Sequence, residues 1–306
     1  MATLVARLRL PDTIPWPPSG SKLLWTLVGA LAVPLWATWP LLAALTTASM
    51  PLFQYLAIIF ATGALLLFAL PGSGAAAVAA GRKDGAGLRA SRGLAAVMVA
   101  VGLLLSDVLF IMALRHIPAA EANLILYLWP VIVVLLAAAL GLAALRRHHI
   151  GGVAIGLAGA ALVIGGGGGD LSWMGAGLAA GGGLAWALFV VFRLWQGENA
   201  PDALSWGLAL SAAIAFAIHL LLEGWVTPTP QALMGTALVG VVPLGLGNLA
   251  WDHGVRKGNR LLLATLAYAT PLVSALFLIA GGLATPTWGL LGGAALIVTA
   301  GVIAAR

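Results

Sequence analysis

The residues best suited to bind a small molecule are tryptophans set inside long apolar runs. Of the twelve tryptophans in 306 residues, seven lie near the ends of such runs, where the aromatic belts of membrane proteins occur. The others offer aromatic stacking and cation–π contact, which suits a planar or cationic solute, with internal packing as the alternative for each. These candidate binding residues are Trp36, Trp39, Trp129, Trp186 and Trp251.

Asp107 is an acidic residue well inside an apolar run. At about 1.5 Å per residue, it lies about 10 Å from the nearer end of that run. A carboxylate at such depth is costly unless it faces water or a partner, so it is a functional candidate. Three roles are open: it could bind the ammonium group of a substrate, titrate, or anchor the structure through hydrogen bonds.

The stretch LYLWP at residues 126–130 places two rings and a helix breaker together. Tyr127 and Trp129 are separated by about 200° around a helix, so both can face one cavity only if the helix unwinds. Pro130 removes a backbone hydrogen bond and clashes with the preceding turn, which favours such a break. Tyr127 could pack or line a cavity, and Trp129 is the favoured ligand contact.

Other chemistries lack the residues they require. The sequence contains no cysteine, and no two acidic residues or histidines have the spacing of metal ligands. The glycine run at 165–170 lacks the Lys and Ser/Thr of a phosphate-binding loop. Intramembrane enzymes need clustered aspartates, a zinc helix or a Ser/His pair, and the apolar runs of this sequence contain none of these. We therefore predict neither an enzyme nor a bound cofactor or metal.

These residues are embedded in a chain that is 62% hydrophobic and 8% charged, whereas soluble domains carry roughly 25% charged residues. A run of about 20 apolar residues crosses a bilayer as a helix. We predict an all-α membrane protein with ten transmembrane helices, named spans 1 to 10 in order, at residues 23–46, 53–71, 93–114, 119–142, 149–165, 172–194, 203–222, 231–252, 261–282 and 287–304.

The basic residues predict how these spans are threaded. With the N-terminus in the cytoplasm, fourteen of the 15 Lys and Arg residues fall on the cytoplasmic side and only Arg115 falls outside, which is a strong positive-inside signal. The net charge of +6 therefore indicates orientation in a membrane and not a nucleic-acid partner. We predict cytoplasmic termini and a retained cytoplasmic tail at residues 1–22.

An internal repeat divides the chain. A shift of 141 residues lays spans 3 and 4 on spans 8 and 9 without a gap. A weaker match sets Trp36 over Trp186. Five spans per copy invert the second copy, so we predict two inverted repeats at 23–166 and 167–306, the architecture of secondary transporters. The residues matched by the shift are Asp107 with Asn248, Arg115 with Arg256, Tyr127 with Tyr268, and Pro130 with Pro271.

The repeat also separates two kinds of role. Pro130 and Pro271 recur in both copies, so we interpret them as paired hinges. Trp129 is replaced by Thr270 in the second copy. A residue that only one half carries is the better candidate to meet an asymmetric substrate, which again favours Trp129.

Short motifs connect the chain to a known family. They are LW-x-T at 35–38, YLWP at 127–130, AW at 185–186, AWDHGVRKGN at 250–259 and YATP at 268–271. From span 1 to span 10 the chain resembles the EamA-type exporters of the drug/metabolite transporter superfamily, and among them the bacterial aromatic amino acid exporters. The resemblance implies a basket-like bundle in the bacterial inner membrane, alternating access, and cavity lining by Trp36, Trp129 and Trp186. The family pattern has asparagine where this chain has Asp252.

We therefore expect an exporter of aromatic and other hydrophobic amino acids. The alternative cargo is lipophilic cations or other small metabolites. Its partners are a small-molecule substrate and membrane lipid, without nucleic acid, and a monomer is a plausible unit. The expected substrate-binding residues are Trp36, Trp39, Asp107, Tyr127, Trp129, Trp186, Asn248, Trp251 and Tyr268, with Pro130 and Pro271 as hinges.

Overall fold

Helices occupy each of the ten predicted spans. A computed structural model describes residues 20–70, 86–142, 144–166, 172–196 and 203–304; the tail before residue 20 and most of the glycine run at 165–170 lie outside them. The α-helices are Gly20–Ala30, Ala32–Thr46, Leu52–Ala69, Ala86–Ala113, Ala119–Leu126, Trp129–Ala139, Arg147–Gly166, Trp173–Gln196, Leu204–Leu222, Pro230–Val239, Asn248–Lys257, Arg260–Ala267, Thr270–Ala280 and Trp288–Ala304.

The surface of these helices is apolar, as a lipid environment requires. On span 3, Leu94, Val97 and Val101 form an exposed stripe, spaced as one face of a helix. The opposite face buries Val99 and Phe110 against the rest of the protein. Within the described residues, eight helical segments are long and apolar enough to cross a membrane, and Trp288–Ile303 is a shorter apolar helix. The chain is a multi-pass membrane protein.

The helices pack on one another in pairs. Span 3 packs on span 6, and their counterparts in the other half, spans 8 and 1, pack on each other. Span 2 packs on span 7 and span 5 packs on span 10, so each of these pairs with its own counterpart. This is the pattern that a twofold relation between the halves predicts.

Spans 4 and 9 are each broken in the middle. Span 4 consists of Ala119–Leu126 and Trp129–Ala139, and span 9 consists of Arg260–Ala267 and Thr270–Ala280. All four helix ends correspond under the shift of 141 residues. The proline of each span is the second residue of the second helix, a position that needs no backbone N–H. The break expected at Pro130 is therefore present, and it falls two residues before the proline.

Span 8 contains an interruption that the apolar pattern does not indicate. Between Pro230–Val239 and Asn248–Lys257, the segment Gly240–Gly247 is π-helical and contains Pro243. A Cβ at Gly240 would collide with the Ile59 carbonyl oxygen, so the backbones of spans 8 and 2 are in direct contact. π-Helical turns of this kind are frequent at functional sites.

Spans 2 and 7 are joined by a hydrogen-bonded group that we name the 2–7 clamp: Phe53, Gln54, His219, Glu223 and Val226. The backbone N–H groups of Phe53 and Gln54 donate to the Glu223 carboxylate at 3.1 and 3.2 Å. The Gln54 side-chain amide donates to the Val226 carbonyl at 2.6 Å and accepts from its N–H at 3.1 Å. Nδ1 of His219 lies 2.9 Å from Glu223. A carboxylate of span 7 thus caps the first turn of span 2, where a helix favours negative charge.

Candidate functional site

Trp129 of the first half and Trp186 of the second half lie side by side just after the break of span 4. Trp129 begins the second helix of that span, and its ring centroid lies 6.4 Å from that of Trp186 in span 6, with the planes at 72°. Phe189, one turn along span 6, lies 5.4 Å from Trp186. The three side chains are half-buried. They present aromatic faces and edges at a boundary between the halves.

A second aromatic pair joins span 1 to span 8. The rings of Trp36 and Trp251 are 5.1 Å apart. Gly247 makes room for this contact, because a Cβ there would lie 2.8 Å from Cδ1 of Trp36. Trp39, one turn further along span 1, lies 6.0 Å from Phe110 of span 3. Span 1 therefore carries an aromatic face that contacts spans 3 and 8.

The burial of the tryptophans agrees with the division made from the sequence. The five candidates inside the spans are half-buried. Trp288 and Trp173, at span ends, are 91% and 76% exposed, as expected for rings in the interfacial belt. Trp25, also near a span end, is half-buried; it stacks on His253 at 5.7 Å and carries Lys257 over its ring at 4.0 Å.

The two tyrosines of the repeat lie in helix contacts. Tyr127 packs in the smaller core cluster with Leu124 and Leu278, and its hydroxyl lies close to Thr270 of span 9. The ring of Tyr268 packs on span 10, where a Cβ at Gly301 would collide with it. Because span 4 is broken, Tyr127 turns toward span 9 while Trp129 turns toward span 6. The two rings thus serve different interfaces.

Two buried polar groups of spans 3 and 4 lack hydrogen-bond partners among the described residues. They are Oδ2 of Asp107 and Nδ2 of Asn123. Spans 3 and 4 are consecutive, and both residues lie about one and a half turns from the turn that joins them. Unpaired buried polar atoms are rare and point to a functional role. The pair offers one acceptor and one donor.

Asn123 is the residue that the sequence reasoning left out of the site. Its signal was an amide within an otherwise apolar helical stripe. Asn248, the repeat partner of Asp107, is placed differently: its Nδ2 donates to the Leu244 carbonyl of its own span at 2.8 Å. Asp107 also lies close enough to Tyr55 to interact with its hydroxyl electrostatically.

A cavity of about 460 Å³ opens where three turns of the chain meet. Its lining includes Ala48 and Met50 between spans 1 and 2, Arg115 and Pro118 between spans 3 and 4, and Leu283 after span 9. We name it the loop-end cavity. The tryptophan candidates do not line it; Asp107 lies one helical turn below its lining residue Ile111.

The described residues hold no cluster of three or more His, Cys, Asp or Glu side chains that could bind a metal ion. What they bring together is aromatic rings and single polar groups inside a helical membrane bundle. A protein so built binds or moves a solute, so the class defined by the fold and site is the membrane transporter.

Comparison with known proteins also identifies a membrane transporter. The chain belongs to the EamA-like transporter family, whose model matches residues 23–165, and it has the drug/metabolite transporter fold. It is 32% identical over 286 residues to the aromatic amino acid exporter YddG of Ancylobacter novellus, an alignment that covers 91% of this chain and 96% of that protein. These findings confirm the family resemblance and show a transporter, not an enzyme.

A solved structure has the same fold. This crystal structure of a protein is 29% identical in sequence and superposes with a TM-score of 0.65. The match covers 93% of this chain and 97% of the solved one. The whole bundle, and not one half of it, therefore has a structural relative.

Proposed function

We propose that the protein exports aromatic and other hydrophobic amino acids from the cytoplasm across the bacterial inner membrane. The observation that carries this proposal is the set of half-buried tryptophans, in which Trp129 meets Trp186 and Trp36 meets Trp251 across spans of different halves. Indole rings bind planar apolar side chains by stacking or edge contacts. The name of the relative from Ancylobacter novellus supports this substrate class.

The unpaired groups of spans 3 and 4 fit the other end of such a substrate. An amino acid carries an ammonium donor and a carboxylate acceptor on one carbon atom. Asp107 supplies a buried acceptor and Asn123 a buried donor, and charge-assisted hydrogen bonds to such groups are strong. In this proposal Asp107 binds the ammonium and Asn123 the carboxylate, while the tryptophans hold the side chain.

Transport by alternating access would use the two repeats, 23–166 and 167–306, as the moving halves. The equal breaks of spans 4 and 9 support Pro130 and Pro271 as paired hinges, because a helix without its central hydrogen bonds bends at low cost. Both termini are cytoplasmic in this scheme. A monomer contains all of these parts.

The test is counterflow of labelled phenylalanine and tryptophan in proteoliposomes that contain the purified protein. We expect uptake of both and a loss of about fivefold or more in Trp129→Ala, since stacking on an indole contributes on the order of 1 kcal/mol or more. Trp288→Ala removes an indole that is 91% exposed and is the matched control.

Absence of counterflow for both amino acids in the unaltered protein would exclude this substrate class. Normal transport by Trp129→Ala together with loss of transport in Tyr127→Phe would reverse the roles assigned to the two rings of span 4.

A second cargo class, lipophilic cations, is favoured by the same carboxylate. Asp107 has no partner cation among the described residues at its buried Oδ2, and tryptophans bind quaternary ammonium groups by cation–π contact. Cells that overproduce the protein would then survive quaternary ammonium dyes, and Asp107→Asn would abolish that protection. Protection that persists in Asp107→Asn would exclude a direct role of this carboxylate.

A further inference from the structure

The loop-end cavity has the properties of a ligand site. Its volume of about 460 Å³ lies within the range of roughly 300–1,000 Å³ that is usual for small-molecule pockets. Its walls combine polar and apolar surface, and Met50, Ile111 and Ile117 are among the apolar side chains. Methionine adapts its shape and makes favourable contact with aromatic rings. A planar apolar side chain fits such walls.

Arg115 is the cationic side chain of this cavity. It is exposed, it belongs to the lining, and among the residues that the structure describes it forms no ion pair. The helix Ala119–Leu126 starts beside it, and Pro118 and Ala119 are part of the same lining. The free N–H groups of a helix start favour an anion. Guanidinium and helix start therefore meet in one part of a cavity whose lining also includes apolar side chains.

The position of Arg115 in the threading is the second argument. Fourteen of the 15 basic residues lie on the proposed cytoplasmic side, and Arg115 is the exception. Positive charge is disfavoured on the outer side of a membrane protein, so a basic residue retained there needs a local reason. In the same threading, all three turns that line the cavity fall on the outer side.

The cavity also lies next to the proposed central site. Tyr55 contributes to the cavity lining and interacts electrostatically with Asp107. Ile111, another lining residue, follows Asp107 by one helical turn on the same face of span 3. A solute that leaves Asp107 toward the outside therefore enters the loop-end cavity.

We infer that the loop-end cavity is the exit site of the transporter, where Arg115 binds the α-carboxylate of the departing amino acid and the apolar residues of the lining hold its side chain. This inference rests on the proposed function and adds to it a second, outer binding site. The same site would bind amino acids supplied from outside, so external amino acid would exchange with internal amino acid through Arg115.

The experiment measures exchange in right-side-out membrane vesicles loaded with labelled phenylalanine. External unlabelled phenylalanine is titrated, and its half-saturating concentration for stimulated efflux is determined. Phenylalaninol, which keeps the ring and the ammonium but has a hydroxymethyl group in place of the carboxylate, is titrated in parallel as a competitor. The variants are Arg115→Gln, Arg115→Lys and the control Arg147→Gln, whose exposed arginine lies outside the cavity lining.

Loss of a charge-assisted contact is expected to raise the half-saturating concentration of external phenylalanine by about tenfold in Arg115→Gln. Arg115→Lys should recover part of this loss because it restores the charge without the planar fork. Arg147→Gln should match the unaltered protein. In the unaltered protein, phenylalaninol should compete about tenfold more weakly than phenylalanine, and this preference should disappear in Arg115→Gln.

Two results would overturn the inference while leaving the proposed function intact. One is an Arg115→Gln titration equal to that of Arg147→Gln. The other is an equal change for phenylalanine and phenylalaninol, which would assign Arg115 to a lipid phosphate. Absence of any phenylalanine exchange in the unaltered vesicles would instead remove the proposed function and this inference with it. If Arg115→Gln does not fold, equal competition by phenylalaninol in the unaltered protein decides against the site.

Discussion

The breaks in spans 4 and 9 have the same backbone geometry but differ in the groups that contact the freed carbonyl. Each span consists of a helix of 8 residues, two residues outside the helix, and a second helix of 11 residues. Each ends in a glycine with positive φ, Gly141 at 69° and Gly282 at 73°. The next residue, Leu142 or Leu283, donates back to the carbonyl five positions earlier at 2.8 or 2.9 Å. Spans 4 and 9 therefore share their backbone geometry in detail.

The difference lies in the carbonyl that each proline leaves without its helical donor. In span 9, the Thr270 hydroxyl donates to that carbonyl, of Ala267, at 2.7 Å. In span 4, the equivalent carbonyl of Leu126 lies against Gly183 of span 6, where a Cβ would come within 2.7 Å of the oxygen. In span 9, a side chain of the same span hydrogen-bonds to the freed carbonyl. In span 4, the freed carbonyl lies against span 6, so position 129 does not need a hydroxyl and carries an indole.

The largest effect is expected at Gly183. Gly183→Val pushes a branched side chain into the Leu126 backbone, so spans 4 and 6 must separate, at a cost of about 3 kcal/mol in the free energy of unfolding. Gly177→Val, on the same helix with nothing within 4 Å of its Cβ position, is the control. Thermal stability in detergent, followed by size-exclusion chromatography, measures both. Equal stability of the two variants would show that span 4 does not depend on this contact.

Removal of the Thr270 hydroxyl should have the next largest effect. Thr270→Val keeps the shape but deprives the Ala267 carbonyl of its donor and removes the hydroxyl beside Tyr127, at a cost of about 2 kcal/mol. In Thr299→Val, an exposed hydroxyl that bonds to its own helix at 2.8 Å is lost, and little change should follow. A double-mutant cycle with Tyr127→Phe should give a non-additive result; additivity would contradict the link between spans 4 and 9.

The two terminal glycines should respond alike. Gly141→Ala and Gly282→Ala each place a Cβ on a residue with positive φ, which costs about 1 kcal/mol. Neither position has a neighbouring atom within 4 Å, so the backbone conformation alone determines the cost. The midpoint of thermal unfolding should fall equally in both variants. A clear difference would mean that the two turns are not equivalent.

The smallest change in stability is expected at the prolines. Pro130→Ala and Pro271→Ala restore a backbone donor at positions where the helix start does not need one, so stability should change by about 0.5 kcal/mol or less. The turnover rate in counterflow should nevertheless fall in both variants, because a restored central hydrogen bond opposes bending. Unchanged turnover in both variants would remove the hinge role, and a fall in only one would restrict it to that half.

These comparisons show what the sequence could predict. The spans followed from apolar runs of bilayer length, and the breaks followed from Pro130 and Pro271, because these are properties of a local segment. The correspondence between the halves followed from matched Arg, Tyr and Pro residues. Each of these features can be recognised from neighbouring residues or from one constant shift of the numbering.

Features that depend on helix rotation and contact could not be read in this way. Nothing in the local sequence of Tyr127 indicates that its hydroxyl meets Thr270, which lies 143 residues later. The π-helical segment Gly240–Gly247 contains one proline and four glycines, a composition that also suits an ordinary apolar span. Asn123 became a site candidate only when its amide was found buried without a partner. The substrate-binding roles of the nine residues expected to line the site stay predictions.

The 2–7 clamp also has a consequence for the order of biosynthesis. Phe53 and Gln54 belong to the first half of the chain, whereas Glu223 and Val226 belong to the second. Gln54 is 1% exposed in the finished protein, and its amide acquires both of its backbone partners only after residue 226 has been synthesised. Span 2 is therefore synthesised long before the residues that cap it exist. The first half lacks these hydrogen bonds until the second half has been made.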